Sequence, residues 1–492
     1  MNPLKKLAGQ TAIYGLPTIV GRLLNYFLVP LYTYQFASPE YGVVTEMYAY
    51  VSFLSILLTY GMETALFRFS QTVEDKNKVY STALISLLFS SLLFIAFATS
   101  FSRPIASMLN YSHHSEYVSW FALIIGLDAI SAVPFAKLRE QNKATRFAFI
   151  KSMNIAINIA FNLFFIVFCK SVHQSPDSPF YSFVETFYNP EIGIGYIFIS
   201  NLIASPITVL LLLPEILYRT KYVFDVRLWK NMLVYALPLM IVGFAGMINE
   251  TMDRALLKYL VPAEMNPMAQ LGIYGACYKI SILMTIFIQT FRFAAEPFFF
   301  SHSKEQDSKK LYADVMNYFV IACSFIFIGT MANMELIQYF IGAEYRQGLA
   351  VVPILLLANL CLGIYFNLSI WYKLTGQTKF GAYISLFGAA ITLALNFYWI
   401  PRIGYIGSAW ATLICYASMM ALSYRIGQKY YHVNYDLKRI WGYLSLSLAL
   451  YFISRLISVD SKILNLGLNN LLVLIFVAAV YFKEIYNGKT ER

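Results

Sequence analysis

Charge is what this sequence has least of. Lys, Arg, Asp and Glu make up only 13% of its 492 residues, about half of what a soluble chain needs to cover its surface. Most of the surface must therefore meet something other than water. The net charge of +11 sits in short segments between apolar runs and forms no basic platform interleaved with aromatics. A nucleic-acid partner is not expected. Cysteine is equally thin: Cys169, Cys277, Cys323, Cys361 and Cys415 stand singly, with neither disulfide nor metal-ligand spacing. His113 and His114 are neighbours in a loop and read as solvated side chains, not as a metal site. There is no Gly-rich phosphate loop, so use of ATP through this chain is not expected. Any work that needs energy would have to draw on an ion gradient, the membrane potential or substrate supply, and no cofactor is expected. The longest loops, 101–117 and 170–192, offer Asp177, Glu185 and Glu191 without catalytic spacing. That counts against a membrane enzyme such as a polysaccharide polymerase or ligase.

What the chain has in excess is apolar length. It is 59% hydrophobic, and the apolar runs recur near the ~20 residues that span a bilayer as helix. The fold class is an all-α polytopic membrane protein of about 14 spans. They are placed near 10–34, 43–67, 80–100, 118–136, 147–169, 193–217, 232–256, 271–293, 312–333, 350–372, 381–400, 404–424, 440–457 and 467–482. Residues 1–10 lack a cleavable signal, so the first span is expected to remain in the protein. With both termini in the cytoplasm, about 26 lysines and arginines fall on the inner side and about 7 on the outer, as the positive-inside rule requires.

The chain also repeats itself. Tyr14-Gly15-Leu16-Pro17 resembles Tyr235-Ala236-Leu237-Pro238, and Phe67-Arg68-Phe69 matches Phe291-Arg292-Phe293. The stretch 156–162 matches 390–396, and Pro190-Glu191-Ile192-Gly193 matches Pro401-Arg402-Ile403-Gly404. Four matches in one order imply two six-helix pseudo-repeat lobes, 1–220 and 221–430, plus an extra C-terminal helix pair over 431–492. Parallel repeats of this kind are a common transporter plan.

Candidate site residues follow from polar groups inside spans. Pro17 and Pro238 interrupt corresponding spans and are expected as hinges. Arg22 lies mid-span, where an unpaired guanidinium costs at least about 2.5–3.5 kcal/mol; it should face a hydrated cavity or a partner, with Asn25 on the same face. Asp128 either pairs with Arg22 or takes up a proton or cation; sequence leaves both open. Glu250 and Arg254 are spaced i,i+4, as are Asn249 and Asp253, and can partly neutralise one another. Lys279, two turns into the eighth span, is a further cavity candidate. Glu63 with Arg68, and Arg292 with Glu296, read mainly as anchors at the inner interface. Asn154, Asn158 and Asn162 form a stripe suited to interhelical hydrogen bonding.

Three stretches carry a family resemblance. They are Asp253-Arg254-Ala255-Leu256-Leu257, then 271–280 (LGIYGACYKI), then Leu374-Thr375-Gly376-Gln377-Thr378-Lys379 with Asn396 and 400–409 (IPRIGYIGSA). Together with Pro39-Glu40-Tyr41-Gly42, they resemble the polysaccharide-export flippases of the multidrug/oligosaccharidyl-lipid/polysaccharide exporter superfamily. The resemblance implies alternating access and a polyprenyl-pyrophosphate-linked oligosaccharide as cargo, moved across the bacterial inner membrane for O-antigen, capsule or exopolysaccharide assembly. It implies cavity cations gripping the pyrophosphate: Arg22 fits that pattern, with Arg254 and Lys279 as second-lobe candidates. Membrane lipids, a polysaccharide polymerase and glycosyltransferases are the implied partners. A cation-coupled multidrug exporter, with Asp128 and Glu63 as coupling acids, and a peptidoglycan-precursor flippase are the alternatives.

Overall fold

The computed structural model describes residues 21, 23–217, 222–302, 307–457 and 461–486. Pro17, Arg22 and the side chain of Glu296 lie outside what is described. In hydrocarbon each backbone polar group must be satisfied within its own segment, so apolar runs of this length fold as helix. Among the described residues there is no strand. The principal helices are α1 (Leu28–Gln35), α2 (Ser38–Thr59), α3 (Met62–Thr72), α4 (Lys76–Ser100), α5 (Ser115–Glu140), α6 (Ala144–Leu163), α7 (Gly195–Leu211) and α8 (Val226–Leu260). They continue as α9 (Pro267–Ile280), α10 (Ile282–Ser301), α11 (Ser308–Ala332), α12 (Val351–Leu368), α13 (Lys379–Ile403), α14 (Tyr405–Tyr430), α15 (Leu437–Leu456) and α16 (Lys462–Tyr481).

Ten described helical segments are long and apolar enough to cross a membrane, and the bent pair α9–α10 makes an eleventh. Every expected span from the second to the fourteenth has a helix at its place, the shorter apolar α7 and the more polar α15 included. The chain is a multi-pass membrane protein. Helix starts are capped where loops return: Asp75 accepts from the Lys78 N–H at 3.0 Å, Asn266 from Ala269 at 3.2 Å and Asp436 from Arg439 at 3.0 Å. Each satisfies an amide that the helix itself leaves open.

Two compact units emerge, one of residues 1–36 and 43–247, the other of 37–42 and 248–492. In the first, Met62, Leu66, Val79, Leu84, Val133 and Met232 bury the seam of α3, α4, α5 and the start of α8. In the second, α12, α13 and α14 pack together around Ala358, Ile384, Tyr416 and Met419. There α15 and α16 lie against α11, and Arg439 and Tyr443 bond Glu484 to hold the pair.

Repeat-equivalent spans are broken in both units, by different means. In the first, Tyr60 and Gly61 take φ of 32° and 71° between α2 and α3, a left-handed turn that suits glycine. In the second, α9 and α10 meet at 49° around Ser281. The Ser281 hydroxyl donates to the Tyr278 carbonyl at 2.7 Å, offering the backbone an alternative to continuing the helix. Pro238 lies inside α8, which runs as one 35-residue helix.

Candidate functional site

Each unit gathers charge inside its spans. In the second, Asp253 on α8 is 3% exposed and accepts from the Tyr274 hydroxyl at 2.6 Å and from the Arg254 N–H at 2.8 Å. Asp253 also lies in electrostatic range of the Arg254 guanidinium, which rests on the face of Tyr278, 4.0 Å from the ring centroid, a favourable cation–π contact. Its Nη2 is buried and has no hydrogen-bond partner among the described residues. Lys279, one residue after Tyr278, lies in electrostatic range of Arg254. Two cations thus crowd one place, and the α9–α10 break at Ser281 follows within one turn.

Glu250 is exposed on the preceding turn of α8 and within electrostatic range of Arg254. The sequence spacing is consistent with that proximity. Asn249 goes elsewhere: it is 5% exposed, donates to the Ser385 carbonyl at 3.1 Å and accepts from Thr392 at 3.4 Å, tying α8 to α13. Expected to neutralise one another in part, Asn249, Glu250, Asp253 and Arg254 divide into a packing residue, an exposed acid, a buried acid bonded to Tyr274 and a cation beside an aromatic.

In the first unit, Asp128 on α5 is exposed and accepts from Ser205 Oγ at 3.0 Å. Its cationic neighbour among the described residues is Lys151 on α6, whose ammonium caps the Phe135 ring at 4.2 Å and lies in electrostatic range of Asp128, Glu63 and Arg139. Glu63 on α3 is ion-paired with Arg139 on α5, and Arg139 also stacks on Phe67 at 5.2 Å. Asn25 is exposed just before α1.

Lys151 was not among the candidates read from the sequence, since it falls near the inner end of the span 147–169, where a lysine counts toward the positive-inside bias. The signal was present: Lys151, Asn154, Asn158 and Asn162 stand at i, i+3, i+7 and i+11, one face of α6. That face is polar along its length, with Asn154 bonded to Thr208 at 2.8 Å and Asn162 to the Tyr32 hydroxyl at 2.9 Å. The aromatic partners Tyr274 and Tyr278 were also missed, because tyrosine in a span reads as ordinary packing until a cation is found against it.

Charge placed inside polytopic helices marks substrate or ion pathways in many membrane proteins. Residues 7–303 match the family described as polysaccharide biosynthesis protein. The chain belongs to that family. Its fold is shared by solved transporters. A lipid II flippase MurJ in an inward closed conformation is 16% identical, with 96% of this chain and 99% of that one covered and a TM-score of 0.68. The MATE multidrug transporter DinF-BH is 15% identical over 90% and 97%, with a TM-score of 0.59. An inward-facing multidrug resistance MATE family transporter of the MOP superfamily is 13% identical over 88% and 96%, at 0.58. No curated protein sequence matches the chain. By family this is a polysaccharide biosynthesis protein, and its fold is one that solved membrane transporters share.

Proposed function

We propose that the protein turns a polyprenyl-pyrophosphate-linked oligosaccharide from the inner to the outer leaflet of the bacterial inner membrane, for cell-surface polysaccharide assembly. One observation carries the reading: Arg254, with a buried Nη2 that lacks a hydrogen-bond partner among the described residues, stands beside Lys279 inside the spans. Asp253 and Glu250 lie in electrostatic range of Arg254, whereas the charge that acts on Lys279 is Arg254 itself, a repulsion that an arriving anion would relieve. A pyrophosphate has the charge and the acceptor geometry to do so, and a guanidinium meets it bidentately. Arg22 of the first span is the candidate counterpart in the first lobe, with Asn25 beside it. Lobes of residues 1–220 and 221–430, with the pair 431–492 added and both termini cytoplasmic, form the framework of the proposal. Pro17 and Pro238 are its hinge candidates. The second unit also holds a groove of about 370 Å³ lined by residues such as Met316, Ile364, Met420, Trp441 and Leu444, chemistry that suits an isoprenoid chain.

Coupling falls to the first unit in this proposal. Asp128, exposed beside Lys151, can exchange a proton or cation as the cargo moves, with Glu63 locked to Arg139 nearby. Complementation of a flippase-deficient strain tests the reading. The wild-type chain restores surface glycan; Lys279→Gln inserts into the membrane but leaves the lipid-linked glycan accumulating. Restoration by Lys279→Gln at wild-type level overturns the assignment, and restored drug export without glycan favours the multidrug alternative.

A further inference from the structure

The first unit carries a polar face whose hydrogen-bonding capacity its own helices do not use up. Of the three asparagines in line on α6, two hold the fold together. Asn154 donates to Thr208 and to the Ala204 carbonyl on α7, and Asn162 accepts from Tyr32. Asn158 reaches no other helix. Its Oδ1 and its carbonyl both accept from Asn162 Nδ2, at 2.6 and 2.8 Å, and its own Nδ2 has no partner among the described residues. Phe165, just past α6, stacks on Tyr196 of α7 at 4.6 Å, so the two helices run antiparallel and Asn158 comes level with Asn201. Asn201 donates to the Tyr48 hydroxyl at 3.2 Å. The Asn201 Oδ1 and the Tyr48 hydroxyl proton are left without partners among the described residues. One turn further along α7, Ser205 bonds the exposed Asp128.

The internal repeat shows that these positions need not be open. Counting from the matched motifs, Asn158 corresponds to Thr392 and Asn201 to Thr412. Those threonines are 1% and 4% exposed. Thr392 donates to Asn249 at 3.4 Å and Thr412 to the Ser408 carbonyl at 2.9 Å. The second unit closes with short, satisfied hydroxyls what the first leaves half-buried as longer amides. Amides with capacity to spare inside spans face a hydrated chamber or a ligand, because hydrocarbon offers them nothing. The free groups are a donor on Asn158, an acceptor on Asn201 and a donor on Tyr48, with a carboxylate beside them. That carboxylate repels a phosphate but accepts from hydroxyls, so the set suits a neutral, hydroxyl-rich ligand.

We propose that Tyr48, Asn158 and Asn201, with Asp128 at their edge, form a glycan-binding station that bonds ring hydroxyls of the cargo's sugar. The inference rests on the flippase reading for its cargo and deepens it: the second unit answers the pyrophosphate, and this face of the first answers the sugar. Such a station selects among glycans, because a sugar without the matching hydroxyls leaves the amides unpaired.

The test is titration of the full chain in nanodiscs with two probes. One is undecaprenyl pyrophosphate, which has no sugar; the other is the lipid-linked glycan extracted from the flippase-deficient strain that the chain complements. The wild-type chain binds the glycan-bearing probe at least about tenfold more tightly. Asn158→Leu and Asn201→Leu each weaken that binding about fivefold and leave undecaprenyl pyrophosphate binding unchanged. Tyr48→Phe, which removes one hydroxyl and keeps the fold where a leucine does not, weakens it about threefold with the same selectivity. Equal affinity of the wild-type chain for the two probes, or variants that weaken both or neither, overturns the glycan station while the flippase reading stands. Variants that bind both probes as the wild type does and yet fail to transport assign the face to ion coupling, which also overturns it. Failure to complement any such strain, or to bind either probe, removes both readings.

Discussion

The two units balance their cations differently. In the first, Lys151 rests on the Phe135 ring, but acids answer several others: Arg139 is matched to Glu63, Arg146 to Glu215 at 2.8 Å, Lys78 to Asp225 at 2.5 Å. In the second, Arg439 and Glu484 repeat that pattern in the last helix pair, but Arg254 leans on a tyrosine and Lys279 has a cation for its charged neighbour. Matched charges fix helices to one another; cations set against rings and against each other leave room for an anion that arrives. The difference teaches that the position of a charge within a span says less about its role than what has been placed opposite it.

The comparison breaks most visibly at Lys279 and Arg254. Either residue changed to Gln lowers transport of lipid-linked glycan in proteoliposomes about a hundredfold, the loss of roughly 2.7 kcal/mol of charge-assisted bonding, while the melting temperature holds. Next comes the packing that carries α9. A Cβ added at Gly272 would stand 1.9 Å from the Ser38 carbonyl oxygen, and one at Gly42 would stand 2.2 Å from that of Met268. Gly272→Val therefore costs about 2 kcal/mol or more, read as a fall in thermal stability in detergent. Glu63→Gln probes the other kind of charge. With both partners about a third exposed, it lowers stability by about 1 kcal/mol and leaves transport above half of wild type. Abolished transport in a folded Glu63→Gln chain would move that acid from scaffold to mechanism.

The smallest effect belongs to Asp225, between α7 and α8. The Lys78 ammonium, with the Leu228 and Arg227 amides, holds its carboxyl down to about 2. A depressed carboxyl contributes stability above its unfolded value near 3.9 and loses it as pH falls toward 2. Asp225→Asn is therefore slightly less stable than wild type at pH 6, and the two melting curves converge between pH 4 and pH 2.

Apolar length and charge asymmetry were enough to read helix class and span positions, because a bilayer leaves few other ways to satisfy a backbone. Local interruptions were less legible. Prolines were the expected hinges, and Pro238 lies within one continuous helix, but the break between α9 and α10 falls at Ser281, which is unremarkable in sequence. A serine bends a helix only when its hydroxyl turns back onto the carbonyl behind it, which no single residue letter records. The site was half legible for a similar reason. Arg254, Lys279, Asp253 and Asp128 announce themselves as charges in hydrocarbon, whereas Lys151 hides near a span's end, and the pairing of Asp253 with Tyr274 depends on two helices meeting.

Gly193 and Gly404 each precede a span, at the corners Pro-Glu-Ile-Gly and Pro-Arg-Ile-Gly, and both adopt positive φ, 50° and 58°. Side-chain identity between the halves has worn away almost everywhere else, but a corner that an L-residue enters only under strain erodes far more slowly. Stereochemistry, more than composition, has preserved the trace of an ancestral doubling. A saturation scan of this polypeptide would recover its ancestry as two matched points of intolerance, even with no relative at hand for alignment.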